Sequence, residues 1–133
     1  MNFWLVKSEP HVYHFDTLLK EKKTMWDGVR NNAARLHLKA MQKGDLVLYY
    51  HSGDEKQVVG IAKVNKAWYP EPGAEEWVVV DLIPEKKLRK TVTLKEIKAN
   101  KKLAEMKLIK ISRLSVVPVT EAEFNEVLKM SEA

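Results

Sequence analysis

The chain has 133 residues, 45% hydrophobic and 31% charged: enough for one compact core, too few for two ordinary domains, and outside the disordered and membrane-embedded classes. No apolar run approaches the roughly 20 residues of a bilayer span, and the lack of cysteine excludes disulfide staples and thiolate metal sites. The formal charge of +5 is a mild bias toward polyanions that solvated surface lysines explain equally well.

In chain order, the apolar run FWLVKSEP (residues 3–10) predicts a strand ended by Pro10, which cannot continue a ladder. Residues 13–22, YHFDTLLKEK, suit a short helix with Asp16 or Thr17 at its N-cap and Leu18 and Leu19 inward. The loop MWDGVRNN follows, then a helix over residues 33–43 with Leu36, Ala40 and Lys43 along one side and Gly44 as C-cap. DLVLYYHS (45–52) is apolar on both faces and predicts a central strand. After the turn SGDEK, residues 57–68 complete a hairpin, with Gly60 marking a bulge or a close backbone approach.

YPEPGAEE (69–76) reads as a loop and WVVVDLIP (77–84) as a third strand of the meander. Residues 93–106 carry two short helical pieces broken near Asn100, residues 108–120 a late strand, and residues 120–130 a helix. That last helix has Thr120 as N-cap, Glu123 as its capping-box partner, and Phe124, Val127 and Leu128 inward. Consecutive strands argue against a doubly wound parallel sheet. The expected class is one α+β domain spanning residues 1–133, a curved sheet or small barrel flanked by helices.

A nucleophilic site finds little support. No serine lies in a G-x-S-x-G elbow, and His51 beside Ser52 would point to the opposite face of an extended strand. His11, His14, His37 and His51 lack a metal-binding spacing, and no glycine-rich phosphate loop exists, so neither metal nor cofactor is expected. Three segments, WLVKSEP, WDGVRN and YYHS, combine aromatics with hydrogen-bonding groups at element ends, as a flat heteroaromatic ligand requires. Trp26 offers a stacking face, Asn31 and Asn32 amides for a base edge, Arg30 a phosphate contact or a brace for the loop, and Gly28 close backbone approach. Each has a structural alternative: a core plug for Trp26, an ion pair with Asp27 or Asp45 for Arg30, a helix cap for either asparagine.

The motifs WLVKSEP, WDGVRNNAAR, the spaced Met41 and Gly44-Asp45, YYHS, VVGIAKV, YPEP, the spaced Trp77 and VVDL, VTLKEIK and RLSVVPVT stand in the order found in EVE-domain proteins, and the chain resembles that family from Phe3 to about Met130. The resemblance implies a PUA-like pseudo-barrel of about five to six mostly antiparallel strands with flanking helices. It further implies a non-enzymatic pocket for a modified base, with 5-methylcytosine or an oxidised form in DNA favoured. Carried over motif by motif, the base pocket comprises Ser8, Trp26, Gly28, Val29, Asn31, Tyr50, His51 and Ser52. Lys7, Arg30, Arg113 and Ser115 lie toward the phosphates. In base-reading terms Trp26 or Tyr50 would replace lost stacking, and Asn31, Ser8 and backbone amides would read the Watson–Crick edge.

Two departures limit the carry-over. The YPEPGAEEW loop is shorter than in relatives, with Glu71 at an aspartate position, so no pocket wall is assigned to it. Arg35-Leu36 also stands where relatives often have Arg-Asn. The runner-up partner is modified RNA such as tRNA. Further rivals are an enzyme acting on a nucleotide or small molecule, with His51 as general base, and a protein-interaction module with a vestigial pocket. No membrane partner is expected, a monomer is assumed, and MNFWLVKSEP, without a basic start or long apolar centre, leads to a cytoplasmic location, or a nuclear one in a eukaryote.

Overall fold

Apolar side chains on both faces of β3 (Leu46–His51) bury it in mid-sheet. In the computed structural model, which describes residues 1–133, β3 lies between β1 (Phe3–Ser8) and β4 (Gln57–Glu71). The remaining strands are β2 (Thr24–Trp26), β5 (Ala74–Thr93) and β6 (Val116–Val119), and the six run in the order β2-β5-β4-β3-β1-β6. All neighbours are antiparallel except β1 and β3. That parallel pair requires a crossover, supplied by α1 (Phe15–Glu21), β2 and α2 (Asn32–Ala40). The expected α+β class and the β3–β4–β5 meander are therefore present.

The sheet curls. Residues of β2, at one edge, and of β1, next to the other, line a single cleft. α2 packs against both β5 and β6 and so fills the gap between the two edges. This is the pseudo-barrel, open in its strand pairing and closed by a helix.

Several local expectations change. α1 is capped by His14, whose Nδ1 accepts from the Asp16 amide, so the cap precedes Asp16 and Thr17. α2 starts earlier than residue 33 because Asn31 caps it, and its buried stripe is Ala34, Leu38 and Met41. Leu36 points outward and is 55% exposed. The helix ends at Ala40, and Gly44, at φ +96°, serves the following turn instead of capping.

Residues 69–76 form no loop but continue the β4–β5 hairpin, with Glu71 paired to Ala74 across a turn at Pro72-Gly73. Pro84 does not end β5, because it sits at a register shift opposite Ala62, where no ladder amide is required of it. Of residues 108–120 only Val116–Val119 are strand, the first part being α4 (Lys107–Lys110). α3 (Leu94–Ala99) and α5 (Glu121–Ser131) both begin with complete capping boxes, Thr93 with Glu96 and Thr120 with Glu123. The helical break falls at Asn100, as the sequence predicts.

Two buried contacts fix this frame. The Asp45 carboxylate accepts from the Trp4 indole (3.0 Å), the Asn2 amide (3.1 Å) and the Gln42 amide (2.9 Å), tying β1 to the α2–β3 turn. Gly60 lies under the Phe15 ring: a Cβ there would sit 2.4 Å from two ring carbons. Phe15 in turn packs on Tyr49 of β3 at 5.2 Å. Gly60→Ala is expected to lower unfolding free energy by about 1–3 kcal/mol through overpacking, read as a lower midpoint in chemical denaturation with unchanged slope.

Candidate functional site

β1 and β3, being parallel, end side by side, and the segment before β6 returns to meet them. The Ser52 amide donates to the Ser8 carbonyl (3.0 Å), and the Lys7 amide donates to the Ser115 carbonyl (2.9 Å). The three serines stand around the mouth of an open cleft of about 620 Å³. Its opposite wall is β2 and the loop after it, from Thr24 to Arg30. Tyr13 and Val12 complete the rim, held because the Tyr49 hydroxyl donates to the Tyr13 carbonyl (2.7 Å).

Trp26 is shared between the core and the cleft wall. It is 8% exposed and belongs to the core, with its ring edge-on to Tyr49 (5.4 Å) and to Tyr13 (6.4 Å). It nevertheless lines the cleft. The core-plug alternative thus holds for most of the side chain, and what remains of it borders the cleft. Trp4 is buried as a packing residue, whereas Trp68 is 41% exposed, with the Lys39 ammonium 4.7 Å from its ring.

The loop after Trp26 is held by Glu71. Its carboxylate accepts from the Gly28 amide (3.0 Å) and from both terminal nitrogens of Arg30 (2.9 and 2.6 Å). The Arg30 guanidinium and the Gly28 amide hold the Glu71 carboxyl down at about 2, against its ordinary 4.5. The Arg30 guanidinium also lies 5.4 Å from the Trp77 ring. Across the cleft, Lys7 donates to the Ser112 carbonyl (2.7 Å), and its burial lowers its pKa. Arg113 is exposed at the rim.

Of the residues singled out from sequence, the cleft brings together Lys7, Ser8, Trp26, Gly28, Val29, Arg30, Ser52, Arg113 and Ser115. Four lie elsewhere. Asn32 opens α2, its Oδ1 accepting from the Arg35 guanidinium. Asn31 caps α2, its Oδ1 accepting from the Ala34 amide (3.0 Å), which is the structural alternative for that side chain. Tyr50 and His51 are buried in the sheet and do not reach the cleft. Six further lining residues, Glu9, Val12, Tyr13, Thr24, Met25 and Asp27, were not singled out, and neither was Glu71. Asp27 and Glu71 had a visible signal: each is an acid inside a quoted motif.

His51 has both ring nitrogens occupied. Nε2 accepts from the Phe15 amide (3.1 Å), so Nδ1 carries the ring proton and donates to Glu55 (2.9 Å). His14, His51 and Glu55 bring ligand-type atoms within 4.8 Å of one another. A metal on His51 Nδ1 would require the imidazolate, and His14 Nδ1 is already the α1 cap. Hydrogen bonds account for the cluster.

A carboxyl held at about 2 in the folded chain and near 4.5 when unfolded contributes stability that is complete above about pH 5 and is lost as pH falls toward 2. The stability gap between wild type and Glu71→Gln is expected to be largest at neutral pH and to close on acidification, as measured by urea denaturation at a series of pH values.

An EVE domain model matches residues 2–130. Thymocyte nuclear protein 1 of Rattus norvegicus is 32% identical, over 99% of this chain and 74% of its own length. Rpa0253 from Rhodopseudomonas palustris, solved by NMR, is 44% identical with a TM-score of 0.95, over 99% of this chain and 94% of that one. Human THYN1, crystallised in complex with 5-methylcytosine-containing DNA, is 29% identical with a TM-score of 0.91, over 100% of this chain and 99% of that one. The chain belongs to the EVE-domain family, with the PUA-like fold of its neighbours.

Proposed function

We propose that the chain is a non-enzymatic module that binds DNA carrying a modified base, most readily 5-methylcytosine, and that the cleft between the β1–β3 ends and the Trp26–Arg30 segment receives the base. The observation that carries the reading is the composition of this cleft. The aromatic residues Trp26 and Tyr13 line it together with Ser8, Ser52 and Ser115, and Arg113 stands exposed at its rim. A volume of about 620 Å³ admits an extruded nucleotide. The DNA complex of the human neighbour, whose fold this chain shares along its whole length, supports the choice of partner.

The reading differs from the sequence expectation in which groups act. With Tyr50 buried, Tyr13 joins Trp26 in facing the base. With Asn31 capping α2, edge recognition passes to the serine hydroxyls and to backbone amides. A catalytic role for His51 as general base loses its footing, because that ring is sealed and both its nitrogens are engaged.

Duplexes differing only in one cytosine (unmodified, 5-methyl, 5-hydroxymethyl, 5-carboxyl) are titrated at fixed salt. A methyl group in an apolar niche gives about tenfold preference for 5-methylcytosine over cytosine. Equal affinity for all four, or tighter binding to methylated RNA than to any DNA, overturns the reading. Arg113→Ala is expected to weaken every duplex alike and to reduce the slope of log affinity against log salt by about 1, as one lost phosphate contact requires.

A further inference from the structure

We infer that Asp27 reads the exocyclic amino group of the bound base, so that the cleft selects aminopyrimidines of the cytosine class over thymine. The inference rests on the base-binding reading of the cleft.

Two carboxylates, Glu9 and Asp27, line a cleft that also holds Lys7, Arg30 and Arg113. Glu9 has a neighbour of its own at the cleft edge: its carboxylate lies 3.4 Å from His11 Nε2, and its side chain rests beside Gly53. Asp27 is exposed, and the donors that follow it in sequence are committed elsewhere. The Gly28 amide and the Arg30 guanidinium both go to Glu71. Asp27 therefore presents an unpaired carboxylate one residue from Trp26. Beside it the backbone is bare, since Gly28 has φ +79° and nothing within 4 Å of where a Cβ would stand.

A free carboxylate repels phosphates, so in a cleft for a polyanion it lowers affinity unless the ligand brings a hydrogen-bond donor to it. An ionised carboxylate only accepts. Cytosine and 5-methylcytosine present an amino donor at C4, and thymine presents a carbonyl oxygen there. The one donor on thymine's edge, N3–H, stands between two carbonyl oxygens that repel an approaching carboxylate. Thymine and 5-methylcytosine carry the same 5-methyl group, so a choice between them isolates the edge from the methyl niche.

The test uses duplexes in which 5-methylcytosine, thymine, guanine or adenine stands opposite an abasic site, so that extrusion breaks no base pair. Wild type is expected to bind 5-methylcytosine at least tenfold tighter than thymine. Asp27→Asn, whose amide can donate to the thymine carbonyl, collapses that ratio to within about twofold. Asp27→Ala weakens 5-methylcytosine binding and tightens thymine binding, since the repulsion goes with the carboxylate, and thermal unfolding of both variants matches wild type because the side chain is exposed. An unchanged ratio in Asp27→Asn, or tighter wild-type binding to guanine or adenine, overturns the inference and leaves the base-binding reading standing. Failure of wild type to bind any of the duplexes overturns both.

Discussion

The Glu71 carboxylate accepts three hydrogen bonds from a single loop, one from the Gly28 amide and two from Arg30. The loop that receives this clamp has little to hold it otherwise: β2 contributes only three residues of ladder before it, and α2 begins at Asn32 after it. Glu71 stands near the tip of the β4–β5 hairpin, so the clamp ties the far end of the longest strand pair to the wall of the cleft. Arg30 and Arg35 both lie over the Trp77 ring, at 5.4 and 5.5 Å, which adds the start of α2 to the same assembly. The geometry of the cleft depends on this clamp, because a base-sized opening discriminates only if its walls stay in place.

The same clamp shapes the electrostatics. Arg30 is neutralised by Glu71, and Lys7 is turned toward the Ser112 carbonyl, where burial lowers its pKa. Of the three cations in the lining, Arg113 is the one exposed at the rim without such a partner. Fixed dipoles and hydroxyls outnumber free positive charge around the opening, an arrangement suited to reading the edge of a neutral base more than to gathering phosphates.

What the sequence made legible was local or patterned. The Thr120–Glu123 capping box, the apolar run of β3, the Asn100 break and the Gly60 close approach each rest on a few neighbouring residues whose chemistry points one way. Less legible were features decided by distant partners. β2 exists because β5 passes beside it, although three residues carry no period of their own. Residues 69–76 look like a loop for their proline and glycine, yet cross-strand pairing extends the hairpin through them. The inward stripe of α2 is Ala34, Leu38 and Met41 and not the side of Leu36 and Ala40, because two apolar sides compete in a short alanine- and leucine-rich helix and only its packing against β5 and β6 decides between them. Of the site, the motif segments were visible, but which of their residues reach the cleft depends on where the strand ends and on what covers each face: Ser52, just past β3, lines it, while Tyr50 and His51, on opposite faces of the strand, are both covered.

The parallel pairing of β1 with β3, and the return of β6 onto β1, join residues near the two extremes of the chain. Lys7 meets Ser112 and Ser115 across more than a hundred positions. Contacts of such separation close late, after the local hairpin and helices have formed. A partly folded chain therefore brings Trp26 and Glu71 together before the Arg113 side of the opening is in place. The opening thus takes its full shape last, and loosening of the β1–β6 pairing would separate Arg113 and Ser115 from Lys7 and Ser8 while the β3–β4–β5 meander stays paired.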